Sequence, residues 1–225
     1  DRIVLKHPRI DVEATQVRAS LRLRALLLQT VQLDDVRVGS VAVALKPRTA
    51  APSERAPAFL PVRWLAVQTT DVQVNAARVT LQSGQQLLAR DFRGDTRVTR
   101  GRVNVRNIHV PVFTYVAAGQ TETDGPRLAL SGQAALRAAD PTGLEGELQW
   151  TAHLEGQPEY AGHMTVGGDL ESMTFTGAVL QPLEASIEGR LADLTTNWNW
   201  DAQVDAPAFN LKPWSPESGL GNFQL

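Results

Sequence analysis

From Gly143 to Val204 the chain alternates apolar and polar residues in segment after segment. Leu144, Gly146, Leu148, Trp150, Ala152 and Leu154 hold one phase; Glu145, Glu147, Gln149, Thr151, His153 and Glu155 hold the other. The pattern returns in Tyr160, Gly162, Met164 and Val166, in Phe175 and Gly177, in Leu183, Ala185, Ile187, Gly189 and Leu191, and in Trp198, Trp200, Ala202 and Val204. Successive side chains of a strand point to opposite faces, so each segment reads as a strand with one apolar and one polar face. Segments begin near 128, 144, 160, 173, 183 and 198. That spacing is too short for crossover helices, so consecutive strands are expected to be antiparallel neighbours.

Shorter alternating pieces lie upstream. Ile10, Val12 and Ala14 precede Val17, Ala19, Leu21 and Leu23; Val31, Leu33, Val36 and Val38 lead to Val41, Val43 and Leu45. Apolar positions continue from Val62 to Val67, Val72 to Val74 and Val79 to Leu81, with Asp71 and Asn75 to Ala77 read as corners between strands. Val103, Val105, Ile108 and Val110 form the next set. Pro47, Pro52 and Pro57 mark an exposed loop over 46–60, and residues 117–127 a second, flexible one. Further turns are expected at Asp140-Pro141, Gly156 to Pro158, Gly167 to Asp169, Gln181-Pro182 and Thr195 to Asn197. The chain thus divides into a β segment over 1–45, the Pro-rich loop, a β segment over 61–116, the second loop and a regular meander over 128–225. It has a repeated architecture without a strict sequence repeat. The fold class is all-β, with about twelve to fourteen strands and little helix.

A one-sided sheet must hide its apolar face, and no segment has the pattern of a covering helix. Gly146, Gly162, Gly177 and Gly189 fall mid-strand in the apolar phase, where glycine marks bending or close approach. Repeated across strands, they imply an elongated antiparallel sheet curling around an open hydrophobic interior. The candidate groove-lining residues are Leu144, Leu148, Trp150, Leu154, Met164, Val166, Phe175, Leu183, Ile187, Leu191, Trp198, Trp200 and Val204.

Charge and chemistry subtract possibilities. The chain has 22 basic and 24 acidic residues and a net charge of -2, without the basic footprint of a nucleic-acid binder. Having no cysteine, it has no disulfide, thiolate metal site or cysteine nucleophile. No apolar run approaches the roughly 20 residues of a membrane helix. A spanning barrel would gather tryptophans at strand ends, whereas Trp150, Trp198 and Trp200 sit within strands. His153 and His163 could meet across a turn beside Glu155 or Glu147, but no third ligand is spaced to complete a metal site. Glu145 and Glu147 lie on the wet face, as solubility alone requires. Neither a nucleophile elbow nor a phosphate loop is present. The expectation is a non-enzyme with no cofactor and no metal. Beginning at Asp1, the chain reads as a piece of a longer protein.

The order of these motifs resembles the TamB family, of the AsmA-like superfamily. LRALLLQTVQLDDVRVGSVAVALKP is similar to that family's membrane-proximal stretch, leading into a proline-rich loop. LPVRWLAVQTTDVQVNAARVTLQSGQQLLARDFRG resembles its early paired strands, closed by a Phe-x-Gly step at Phe92 and Gly94. RLALSGQAALRAADPTGLEGELQW and QPLEASIEGRLADLTTNWNWDAQVDAPAFNLKPW resemble its recurrent units. The resemblance implies a taco-shaped β-sheet in the periplasm of a Gram-negative bacterium, held to the inner membrane by an N-terminal anchor outside this sequence. It implies phospholipid acyl chains as cargo in the groove, moving between the two membranes in outer-membrane biogenesis. A TamA-type outer-membrane barrel would be the partner, through regions outside this sequence. The alternative it carries is chaperone-like binding of unfolded outer-membrane proteins for barrel assembly.

Overall fold

The computed structural model describes residues 2–6, 10–22, 24–25, 29–45, 65–81, 84–120, 127–138, 142–153, 158–169, 171–182, 184–192, 199–206, 209–210 and 222–223. Its elements are all strands: β1 (Arg2–Lys6), β2 (Ile10–Thr15), β3 (Arg18–Arg22), β4 (Thr30–Leu45), β5 (Ala66–Thr80), β6 (Gln86–Val98), β7 (Arg102–Val116) and β8 (Arg127–Arg137). There follow β9 (Gly143–Ala152), β10 (Tyr160–Asp169), β11 (Ser172–Gln181), β12 (Ala185–Ala192), β13 (Asn199–Asp205), β14 (Phe209–Asn210) and β15 (Asn222–Phe223). Thirteen strands form one sheet in the order β1-β2-β4-β5 and then consecutively to β13, with β3 pairing β4 beside β2; β14 and β15 pair separately. The sheet curls and does not close into a barrel. Twelve strands along its path, at about 4.8 Å each, make it about 50 Å wide.

From β5 to β13 every neighbour is antiparallel, as the short connections dictate. The exception is β4 with β5, which run parallel, Val31 beside Val67 and Val43 beside Val79. Residues 46–65 connect them, long enough to return the chain to the same end of the sheet.

Asp71 and Asn75 to Ala77 are not corners: all lie inside the single 15-residue strand β5. Asp71 has φ 52°, Asp35 in β4 has φ 51° and Asn107 in β7 has φ 51°. Asp and Asn accept this left-handed conformation more readily than other side-chain-bearing residues. Each inserts one residue into its strand, so the face phase slips by one without ending the strand. Leu33 and Val36 therefore share a face despite their odd spacing, as do Thr69 and Val72, and Val105 and Ile108.

These three positions recur every 36 residues, which exposes a repeat that hydrophobic spacing alone had not separated. Residues 31–45 and 67–81 are identical at seven of fifteen positions, including the bulge aspartate and the valines one and three residues after it, and they lie side by side in the parallel pair. The bulges are tied across strands. Asp95 of β6 accepts from the Asp71 backbone N–H at 3.0 Å and from Asn107 Nδ2 at 2.6 Å. Arg37 donates to Asp35 at 2.6 Å and reaches Asp71 at 3.4 Å. Next to this row the Asp34 carboxylate accepts from Thr70 Oγ1 at 2.6 Å and pairs with Arg22. The Thr70 hydrogen bond chiefly holds its pKa below the ordinary carboxylate range.

Gly167 to Asp169 also belong to a strand, β10, rather than to a turn; the Asp169 carboxylate caps the turn by accepting from the Glu171 and Ser172 N–H groups, each at 2.8 Å. The loop over 46–60 lies outside the described residues. So do most of the second loop and the turn at 195–197.

Candidate functional site: the apolar face of the curled sheet

Residues paired in register share a face, so rows of side chains can be read across the sheet. One row runs Gly132, Leu148, Met164, Gly177, Ile187, Val204. The next runs Ala134, Gly146, Val166, Phe175, Gly189, Ala202, and a third Leu136, Leu144, Gly168, Met173, Leu191, Trp200. The opposite face carries Gln133, Glu147, Thr165, Thr176, Glu188 and Gln203 in one row. Along β12 every polar-face residue from Ser186 to Arg190 is exposed, while Ala185 is buried and Ile187 and Leu191 are half-buried. The same asymmetry holds in β9 to β11. In a single-layer sheet such asymmetry follows when the apolar face is the inside of the curl.

Ten of the candidate lining residues are described, and all ten fall on this face. Leu144, Leu148, Trp150, Met164, Val166, Phe175, Ile187 and Leu191 are half-buried, whereas Trp200 is 69% and Val204 60% exposed. Leu154, Leu183 and Trp198 lie outside the described residues. Register adds Leu130, Leu136, Met173 and Val179 to the same face. The alternation from Arg127 onward already carried that signal.

The glycines open the interior less than their number suggests. A Cβ at Gly162 would lie 2.6 Å from Trp150 Cζ2 and against the Ala178 carbonyl; one at Gly189 would lie 2.5 Å from Phe175 Cζ. Trp150 and Gly162 are register partners, as are Phe175 and Gly189. Each ring therefore lies over the glycine of the next strand, filling the space that a side chain would have taken. The result is a smooth, aromatic-paved wall.

Nothing described faces that wall closely. Substantial packing joins only strands that are neighbours in the sheet, so there is no opposing sheet as in a sandwich. Among the described residues no large side chain is fully buried. At β4 and β5 the buried Val36, Val38, Val72 and Val74 form a cluster with Val17, Leu33 and Phe92 packed against it. Strand β13 itself is exposed along its length except at Ala202, which is half-buried. The apolar surface is thus a trough, exposed at its β13 end.

On the outer face, register places His163 beside Gln149, four residues from His153, so the two histidines are not brought together. His109 and His163 share a row, with Ser131 and Gln149 between them. Among the described residues no three His, Asp or Glu side chains are grouped to hold a metal. Glu145 instead binds Arg102, with Arg137 at 3.8 Å. Comparison with protein-family models, curated proteins and solved structures finds no match for this chain.

Proposed function

We propose that the chain is one section of a TamB-like periplasmic conduit whose trough shields phospholipid acyl chains between the inner and outer membranes. The observation that supports this most is a continuous apolar face, from β4 to β13, that no described element packs against. An exposed apolar surface of this extent marks a site of interaction. A tail of about sixteen carbons gains about 12 kcal/mol on leaving water, at about 0.8 kcal/mol per methylene. A bilayer offers the same gain, so the trough lowers the barrier to crossing water and supplies no direction. A second reading, capture of extended outer-membrane protein segments, draws on β13, which pairs only with β12 among the described strands.

Photo-crosslinking in cells separates them. A crosslinker at Leu148 or Ile187 should capture phospholipid, and one at Glu147 or Glu188 should not. Protein adducts at the inner positions would favour the second reading; lipid adducts only at the outer positions would reject the first.

A further inference from the structure

The apolar face carries one polar spot. Register continues the row of Ala134, Gly146 and Val166 back through Val105 to Thr96 of β6, Thr69 of β5 and Leu33 of β4. This row crosses ten strands, and Thr69 and Thr96 are its two polar members. The row on one side begins with Val31, Val67, Val98 and Val103 and is apolar through to Trp200. On the other side Val36, Val72 and Gly94 are apolar as well. Thr69 and Thr96 are both half-buried. They meet where the β5 bulge shifts the register, and the Thr96 backbone N–H donates to Thr69 Oγ1 at 3.2 Å. The two hydroxyl oxygens lie 2.5 Å apart, so one O–H donates to the other. Two hydroxyls bring two protons, and this bond uses one. Cross-strand threonine pairs stabilise a sheet through that bond alone. Among the described residues neither hydroxyl has a further partner, so one O–H donor is left over on an apolar wall.

We propose that this donor binds an ester carbonyl of a diacyl glycerolipid and so sets where the polar end of the lipid stops along the trough. The proposal rests on the reading of the trough as a lipid path and names the part of the lipid that the wall recognises. An ester carbonyl accepts hydrogen bonds and carries no charge, which matches a single neutral donor. A head-group phosphate does not match, because these rows offer no cationic side chain to offset its burial. A methylene chain has no use for the donor. Once lipid excludes water from the wall, an O–H left without an acceptor is costly, and the carbonyl removes that cost. From β6 to β13 the row stays apolar over seven strand spacings of about 4.8 Å, about 34 Å in all. A tail starting at the threonine pair can therefore lie toward β13 without meeting another polar side chain in its row.

Two short-chain probes test this on the 225-residue chain: dihexanoyl phosphatidylcholine and its di-O-hexyl ether analogue, each titrated calorimetrically below its micellar concentration. They share head group and chain length, but the ether lacks both carbonyls. Thr69→Val with Thr96→Val keeps the shape of the wall and removes both hydroxyls. The ester-to-ether affinity ratio should be about 2- to 10-fold higher for the parent than for this double variant, as one neutral hydrogen bond provides. Thr165→Val, at an exposed position on the outer face, should leave the ratio unchanged. Circular dichroism checks that each variant keeps its sheet. Intermolecular NOEs in the parent chain locate the ester without any substitution: the Thr69 and Thr96 methyls should contact the lipid methylene next to the carbonyl. An equal ratio in parent and double variant, or NOEs to the end of the tail instead, would overturn the inference and leave the lipid path standing. Binding of neither probe by the parent would overturn the lipid path itself, and the inference with it.

Discussion

The Trp150 indole occupies the space above Gly162 that a side chain there would need, with Cζ2 only 2.6 Å from the position of a Cβ. The two residues are directly paired between β9 and β10, so neither can change size alone. Gly162→Ala should destabilise the sheet by about 1–3 kcal/mol in urea unfolding, as overpacking does. Adding Trp150→Ala should recover only part of that loss, because the Ala178 carbonyl also crowds the new methyl. The pair should therefore be non-additive in a double-mutant cycle.

Asn107 tests the bulge row. Its φ of 51° suits glycine better than alanine. Asn107→Ala should cost more stability than Asn107→Gly, by about 1 kcal/mol, although both lose the 2.6 Å bond to Asp95. Asn107→Asp keeps the shape but sets a second carboxylate against Asp95. Thermal unfolding should show it weakest at neutral pH and recovering as the carboxylates protonate.

Asp34 supplies a pH signature. Its folded pKa is depressed, first by the Thr70 hydroxyl, so its contribution to stability is complete above the unfolded value of about 3.9. That contribution is lost as pH falls through the folded value. Thr70→Val should raise the folded pKa toward the unfolded one. The variant should be less stable than the parent at pH 7, and the gap should narrow below about pH 4. Carboxyl NMR titration of Asp34 gives the shift directly.

Trp200 should report occupancy of the open end. In a variant retaining Trp200 as its sole tryptophan, emission should be red and readily quenched by acrylamide, given its 69% exposure. Short-chain phospholipid below its micellar concentration should shift the emission to the blue and reduce quenching. A variant retaining only Trp150, whose ring is already packed on Gly162, should respond less.

The alternation that placed Leu148, Met164 and Ile187 on one face is a local property, because strand geometry turns successive side chains to opposite sides whatever lies beyond. The all-β class, the starts of β8 to β13 and the shared phase of the apolar residues were therefore legible in the chain by itself. The bulges at Asp35, Asp71 and Asn107 were not. A residue at positive φ shifts the phase within a strand, and in hydrophobic spacing alone that shift looks like a corner. Nor could spacing show that Trp150 covers Gly162, since the two are joined only when β9 and β10 take their register. The tertiary structure likewise decided that β4 and β5 run parallel. Those relations depend on contacts between residues distant in sequence, where loop closure and pairing, not local preference, select the outcome.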